Sequence, residues 1–269
     1  MSAEYSFRKT KCILLSHKPF RTSSLIIDCF SGDFGKLNFL VKGFFKTKKY
    51  SSFPLQIGEI LEIVFIDSRR SEIGAVDIYT ASDIDILLIP MFSEMNEFVI
   101  FEHFLEFLKL IRTVDEKEHL SIFKLYVNFY DLLFECKAGI KKLFLLYLCE
   151  LIGLSVLGFF SNVFLCSKCG NKNSKIVYLK SNGNGFLCDK CYEKDALLIS
   201  ESLLSLLNDI YLRNFKPVDL RKAVCEKNID SGDILMLKKI VLLFGNEIFT
   251  ENFKSGFFIE AVEDKILNS

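Results

Sequence analysis

The sequence predicts an α+β chain of several domains: a small β-barrel, then a helical domain with a four-cysteine ribbon inserted in it. Three observations predict this. About five short apolar runs with strand-like alternation occupy residues 10–82, with no helix-length interruption. From about Asn96 the apolar period becomes that of a helix. Two Cys-x-x-Cys pairs, Cys166/Cys169 and Cys188/Cys191, then break the helical pattern. The expected division is 1–82 for the barrel, 83–160 for the first helical part, 161–200 for the ribbon and 201–269 for the second helical part.

The strand runs are CILLSH, SLIIDCF and KLNFLVKG, separated by the turn signals KPFRTS and SGDFGK. In GEILEIVFID, Leu61, Ile63 and Phe65 alternate with Ile60, Glu62 and Val64, so one set faces inward. A polar turn is expected at Ser68–Ser71, followed by a further strand. Five strands in so short a segment make a small barrel or a sandwich.

The helices follow. Phe98, Phe101, Phe104, Leu105, Leu108 and Ile111 fall on one helical stripe. A second helix is expected over His119–Phe134 and a third over Lys141–Leu157. Ser200 is placed to cap a helix beginning at ESLL, and a last long helix is expected over Ile234–Glu247. The apolar run from Leu143 to Cys166 is long enough to span a bilayer, for which about 20 residues suffice. However, Glu150 lies inside it, at a cost of about 3 kcal/mol near mid-membrane. Gly153, Gly158, Ser161 and Asn162 interrupt it as well, so a buried core helix leading into the ribbon is the expectation.

Composition sets the outer limits. A chain that is 50% hydrophobic and 25% charged folds and is not disordered. The net charge is zero but segregated. Residues 1–50 hold ten Lys and Arg against three acids, and residues 51–100 hold two against nine. Two readings fit: a cationic face that meets a polyanion, or a small domain with a polarised surface. The opening MSAEYSFRKTK has no apolar signal region. Nine cysteines without such a region suggest reduced thiols or metal ligands in a cytoplasmic protein, not a disulfide framework.

Cys166, Cys169, Cys188 and Cys191 carry the clearest chemistry. Two residues between thiolates let a tight knuckle present both sulfurs to one tetrahedral ion, and two knuckles close a four-sulfur site. A closed site has no open position for water, so the expected cofactor is one structural Zn2+; an iron–sulfur cluster fits the spacing too. The segments KIVYLK and GFLC around SNGNG read as a ribbon hairpin. Cys12, Cys29, Cys136, Cys149 and Cys225 are expected to be small buried hydrophobes. The three histidines, His17, His103 and His119, lie in no metalloprotease or hydrolase pattern, and no phosphate-binding glycine loop is present. The chain is therefore expected not to be an enzyme.

The segment 36–50 interleaves lysines with Phe39, Phe44, Phe45 and Tyr50. Cations track a phosphate backbone and aromatic faces stack on bases, which on a five-stranded barrel is the oligonucleotide-binding (OB) arrangement. Phe39 and Val41 look inward-facing, and the FKTKKY loop is the better surface candidate.

The run from CILLSH to FFKTK, with Phe30, Asp33, Gly35, Lys42 and Gly43 at its turns, resembles the opening of the RecO recombination mediators. ELIGLSVLGFFSNVFLCSKCG resembles that family's passage from a Leu-Leu-Gly helix end into the first cysteine knuckle. The order of barrel, helices, four-cysteine ribbon and helices also agrees. The resemblance implies an OB-fold domain and a non-catalytic role. Such proteins bind single- and double-stranded DNA, anneal complementary strands and work with the RecR clamp. They also engage the acidic C-terminal tail of single-stranded-DNA-binding protein and so help load the RecA recombinase. Under this reading Lys9, Lys11, Arg21, Lys42, Lys46, Lys48 and Lys49 are the expected phosphate contacts. A zinc-ribbon transcription or RNA-binding factor is the alternative. The chain departs from the family in its neutral overall charge and in the apolar loop GFFSNVF.

Overall fold

The computed structural model describes residues 7–47, 54–73, 76–111, 115–160, 162–172, 176–180, 185–212, 217–226, 229–245 and 256–268. They form two compact units, one of residues 1–93 with 112–124, the other of 94–111 with 125–269.

The first unit is a closed five-stranded barrel. Its strands are β1 (Phe7–Phe20), β2 (Ser24–Ser31), β3 (Gly35–Val41), β4 (Ile60–Ile73) and β5 (Val76–Leu88). They run in the order β1-β2-β3-β5-β4, and β4 closes back on β1. β1 is long enough to serve two neighbours. Phe7–Ile13 pair with β4, and Cys12–Phe20 pair with β2 across an irregularity between Leu14 and Ser16. Such a bulge bends and twists the strand, which lets one sheet curl into a barrel. The parallel contact of β3 with β5 completes the closure. Alternate residues fill the interior: Leu14, Ile27, Phe39, Leu61, Ile63 and Phe65 are each at most 2% exposed. Each such side chain contributes about 1.5–3 kcal/mol of burial.

The β2–β3 turn explains the motif around Asp33. The Ser31 hydroxyl accepts from the Asp33 and Phe34 amides at 3.0 and 3.2 Å, and Thr10 donates to the Asp33 carboxylate at 2.7 Å. Thr10 and Ser31 also share a hydrogen bond of 2.6 Å. The turn is thus tied to β1 through buried polar groups that satisfy one another. Gly35 has φ +69°, and a Cβ there would lie 2.5 Å from His119 Nε2, so both conformation and space require glycine.

One expectation is corrected here. Ser68–Ser71 is strand, not turn; β4 runs on to Ile73, which pairs with Val76 of β5. β5 carries Asp83 and Asp85 and alternates on to Leu88.

Glu59, just before β4, is 1% exposed with Oε2 unpartnered. Burial pushes its pKa up to about 7, against a partial opposing pull from the Gln56 backbone. A carboxyl whose folded pKa is raised contributes stability that is present below its unfolded pKa and lost as pH rises through the folded value. Glu59→Gln should therefore raise the thermal midpoint at pH 8 by several degrees and leave it nearly unchanged at pH 4. Equal shifts at both values in a thermal scan would refute this.

The second unit is helical: α1 (Met95–Leu110), α2 (Glu116–Glu135), α3 (Gly139–Val156), α4 (Glu201–Tyr211), α5 (Pro217–Arg221), α6 (Ser231–Phe244) and α7 (Gly256–Leu267). The first residues of α2, through Lys124, group with the barrel. α3 is the central element, packed by α1, α4, α6 and α7. Leu143–Leu151 are buried without a break, which is where the long apolar run goes. Among the described residues no helix is long and apolar enough to cross a membrane. Gly153 lets α1 approach: a Cβ there would sit 2.7 Å from the Phe107 ring. Glu150 is buried 3.4 Å from His103 Nε2. Burial holds the Glu150 pKa far above the carboxylate range and pushes His103 down to about 4.

Ser200 caps α4 as expected, its hydroxyl accepting from the Leu203 amide at 3.2 Å. The last expected helix is α6, beginning at Ser231 with Asp230 as its cap. Beyond it lies α7, unanticipated although Ile259 and Val262 form its buried stripe. Of the loop GFFSNVF, Phe160 and Val163 are buried, and Phe160 packs edge-on to Phe244 at 5.2 Å.

Candidate metal centre and nucleic-acid interface

Between α3 and α4 the chain forms a three-stranded sheet of β6 (Val177–Leu179), β7 (Phe186–Cys188) and β8 (Leu197–Leu198), in the order β7-β6-β8. The first knuckle turns at Gly170, φ +72°, whose amide donates to the Cys166 carbonyl at 2.8 Å. The Ser167 amide donates to the Phe186 carbonyl at 2.8 Å, stitching this knuckle to β7. β7 ends in Cys188, and the tight turn Asp189–Cys191 makes the second knuckle. The sulfurs of Cys166, Cys169, Cys188 and Cys191 all lie within 4.8 Å of one another, with Cys169 and Cys188 at 3.9 Å. A tetrahedral ion with bonds of about 2.3 Å separates its sulfurs by about 3.8 Å. The cluster therefore fits one ion.

The thiols themselves favour a cation. Burial pushes Cys166 up, but backbone amides of Cys188, Cys169 and Lys168 outweigh it and leave the thiol at about 6. Cys191, crowded first by the Cys169 thiol and then by burial and the other two, is pushed up to about 12. Cys166 forms a thiolate readily and Cys191 resists, so a divalent ion is what makes four thiolates compatible. Lys168 is drawn to Glu193, 3.4 Å away, linking the first knuckle to the chain after the second.

The barrel divides the expected phosphate contacts into two groups. Arg21 sits at the β1–β2 turn in the left-handed conformation, φ 54°, with its guanidinium 5.2 Å from the Phe20 ring centre. Lys42 precedes, and Lys46 ends, a single helical turn, Phe44–Lys46, entered through Gly43 at φ +68°. The Phe45 amide donates to the Ser23 carbonyl at 3.1 Å, so this turn is fastened to the β1–β2 turn. Arg21, Lys42 and Lys46 thus lie, all exposed, on or next to two turns that are hydrogen-bonded to each other, with Phe45 half exposed in the second. Phe44 is buried, as are Phe39 and Val41.

Lys9 and Lys11 are elsewhere. They lie on the first half of β1, beside the β2–β3 turn, and line a cleft of about 360 Å³ with Asp33, Glu62, Leu120 and Phe123. Lys9 is paired with Glu62 at 2.7 Å. Lys48 and Lys49 fall outside the described residues. Lys18, exposed on β1 and paired in register with Ile26, is two residues from Phe20 and so on the same strand face, a cation that sequence reading did not single out.

Comparison with known proteins agrees with this architecture. Residues 1–83 match the family model for the recombination protein O N-terminal domain. The chain is 25% identical over 166 residues to the DNA repair protein RecO of Pelodictyon phaeoclathratiforme and 27% identical over 167 residues to that of Chlorobium limicola. The matched stretch covers 61% and 60% of this chain, and spans 60% of the length of either relative. The barrel segment is thus similar to the recombination protein O N-terminal domain, and the chain is similar over about three fifths of its length to proteins described as DNA repair protein RecO.

Proposed function

We propose that the chain is a non-catalytic, DNA-binding recombination mediator in DNA repair. Its barrel holds single- and double-stranded DNA, and the protein anneals complementary strands. The observation that carries this reading is the joining of Arg21, Lys42 and Lys46 with the exposed Phe45, where two turns of an OB-type barrel are hydrogen-bonded together. Cations there displace counterions from phosphates, and the Phe45 ring offers a base a stacking face. Lys9, Lys11, Lys48 and Lys49 extend the phosphate contacts, Lys9 less so because Glu62 competes for it. Cys166, Cys169, Cys188 and Cys191 hold one structural Zn2+. The partners are a RecR-type clamp and the acidic C-terminal tail of single-stranded-DNA-binding protein, through which recombinase is loaded onto coated strands in the cytoplasm, on the nucleoid. No bond is made or broken by the chain itself.

The test is DNA binding as a function of salt. Replacing Arg21, Lys42 and Lys46 together by Glu should lower the slope of log affinity against log salt by about 2–3, at roughly 0.7–0.9 per phosphate contact. All three are exposed, so the thermal midpoint should not move. An unchanged slope would remove the barrel interface. Annealing of labelled complementary oligonucleotides, bare and coated with single-strand-binding protein, should be accelerated. Tight RNA binding without annealing would favour a zinc-ribbon transcription or RNA-binding factor.

A further inference from the structure

Two cysteines outside the ribbon meet in the helical unit. Cys136 follows the C-terminus of α2, and Cys225 lies in the wide helical turn Lys222–Glu226 that continues α5. They are 89 residues apart in sequence, yet their sulfurs are 3.8 Å apart. Two contacts bracket them. Arg221 donates to the Glu135 carboxylate at 2.6 Å, and the Lys141 ammonium donates to the Cys225 carbonyl. Wide turns of this kind carry an extra residue and recur at functional positions. The burial is unequal: Cys136 is 3% exposed and Cys225 is half-buried.

We propose that Cys136 and Cys225 are a dithiol oxidation site, converted by hydroperoxide to a disulfide that joins the end of α2 to the turn after α5. The half-buried Cys225 thiolate attacks the peroxide oxygen, giving a sulfenic acid and releasing water. The Cys136 sulfur then displaces that hydroxyl group as a second water. Two thiols and one hydrogen peroxide give one disulfide and two waters, with both electrons going to the peroxide. The order of attack follows access. Burial, and then the neighbouring Cys225, push the Cys136 thiol up to about 12, so it does not start the reaction. Lys141, whose charge opposes that rise, favours the Cys136 thiolate at the second step. Closing 3.8 Å to a bond of about 2.05 Å asks for a small movement, and the mixed turn around Cys225 is where it can occur.

The test uses the full chain with its metal bound. It is exposed to graded hydrogen peroxide, alkylated, and mapped without reduction, with released metal measured in parallel. A cross-linked Cys136–Cys225 peptide is expected at peroxide levels that leave the metal in place. The thermal midpoint should rise by roughly 5–10 °C, since the bond closes a long loop in the unfolded chain, and thiol reductant should reverse it. Cys225→Ser should lose both the cross-link and the rise. Cys136→Ser should instead leave sulfenic acid at Cys225, detected by a dimedone probe. A cross-link that appears only after metal loss, or a Cys225 that is oxidised without ever joining Cys136, would overturn the proposal.

Discussion

Removing the metal should unfold the ribbon. A strong chelator, or Cys169→Ser with Cys191→Ser, is expected to abolish amide protection in β6 and β7 while strands β1–β5 keep theirs, as read by hydrogen exchange. The ribbon has little else to hold it. Its strands are three, three and two residues long, and the cluster nearest the sulfurs has Cys166, Leu187 and Cys188 as its buried members. The far side is better anchored, since Phe186 stacks near Phe160 and Phe244 at 6.2 and 5.8 Å. That anchor fixes one edge of the ribbon but supplies no core around the knuckles. Structural zinc in small peptides is worth about 10–16 kcal/mol at neutral pH, which is on the scale of an entire domain's stability. The loss should also follow pH, because protons compete for the thiolates, so chelation should become easier as pH falls. Metal analysis should give one zinc per chain. Full protection of β6 and β7 in metal-free protein would show that the four cysteines are not a folding element.

Much of this was readable from the residues alone. Thiolate spacing is a local property, so the four-cysteine cluster needed no tertiary knowledge. The barrel was legible because Leu61, Ile63 and Phe65 alternate cleanly, and period two is itself the signal of a strand with one buried face. What escaped was set by contacts distant in sequence. The fastening of Phe45 to Ser23, which gathers Arg21 with Lys42 and Lys46, depends on how the barrel closes. So does the separation of Lys9 and Lys11 from that group. Local charge counting merges all of these into one basic segment. The meeting of Cys136 with Cys225 is a tertiary fact of the same kind. α7 was missed for a different reason: Ser255 is a possible cap signal in the sequence, but the buried stripe that follows, Ile259 and Val262, is too short to stand out.

Lys142→Met should cost the helical unit about 3–5 kcal/mol, a fall of roughly 10 °C or more in the thermal midpoint. Lys142 lies in the first turn of α3, where the helix dipole disfavours a cation. It is there because Glu97 is opposite: the ammonium donates to Glu97 Oε1 at 2.6 Å, with both side chains about 5–6% exposed. Glu97 has a second task. It is the third residue of α1 and reaches back to the Glu94 amide, completing a reciprocal cap at that helix start. Removing the ammonium therefore strands a carboxylate that its own helix cap keeps in place, and methionine fills the space without supplying charge. Adding Glu97→Gln should recover a large part of the loss, because a neutral amide needs no buried cation. If the double variant is as unstable as the sum of the two single changes, the pair is not coupled and the burial of Lys142 must be explained by packing alone.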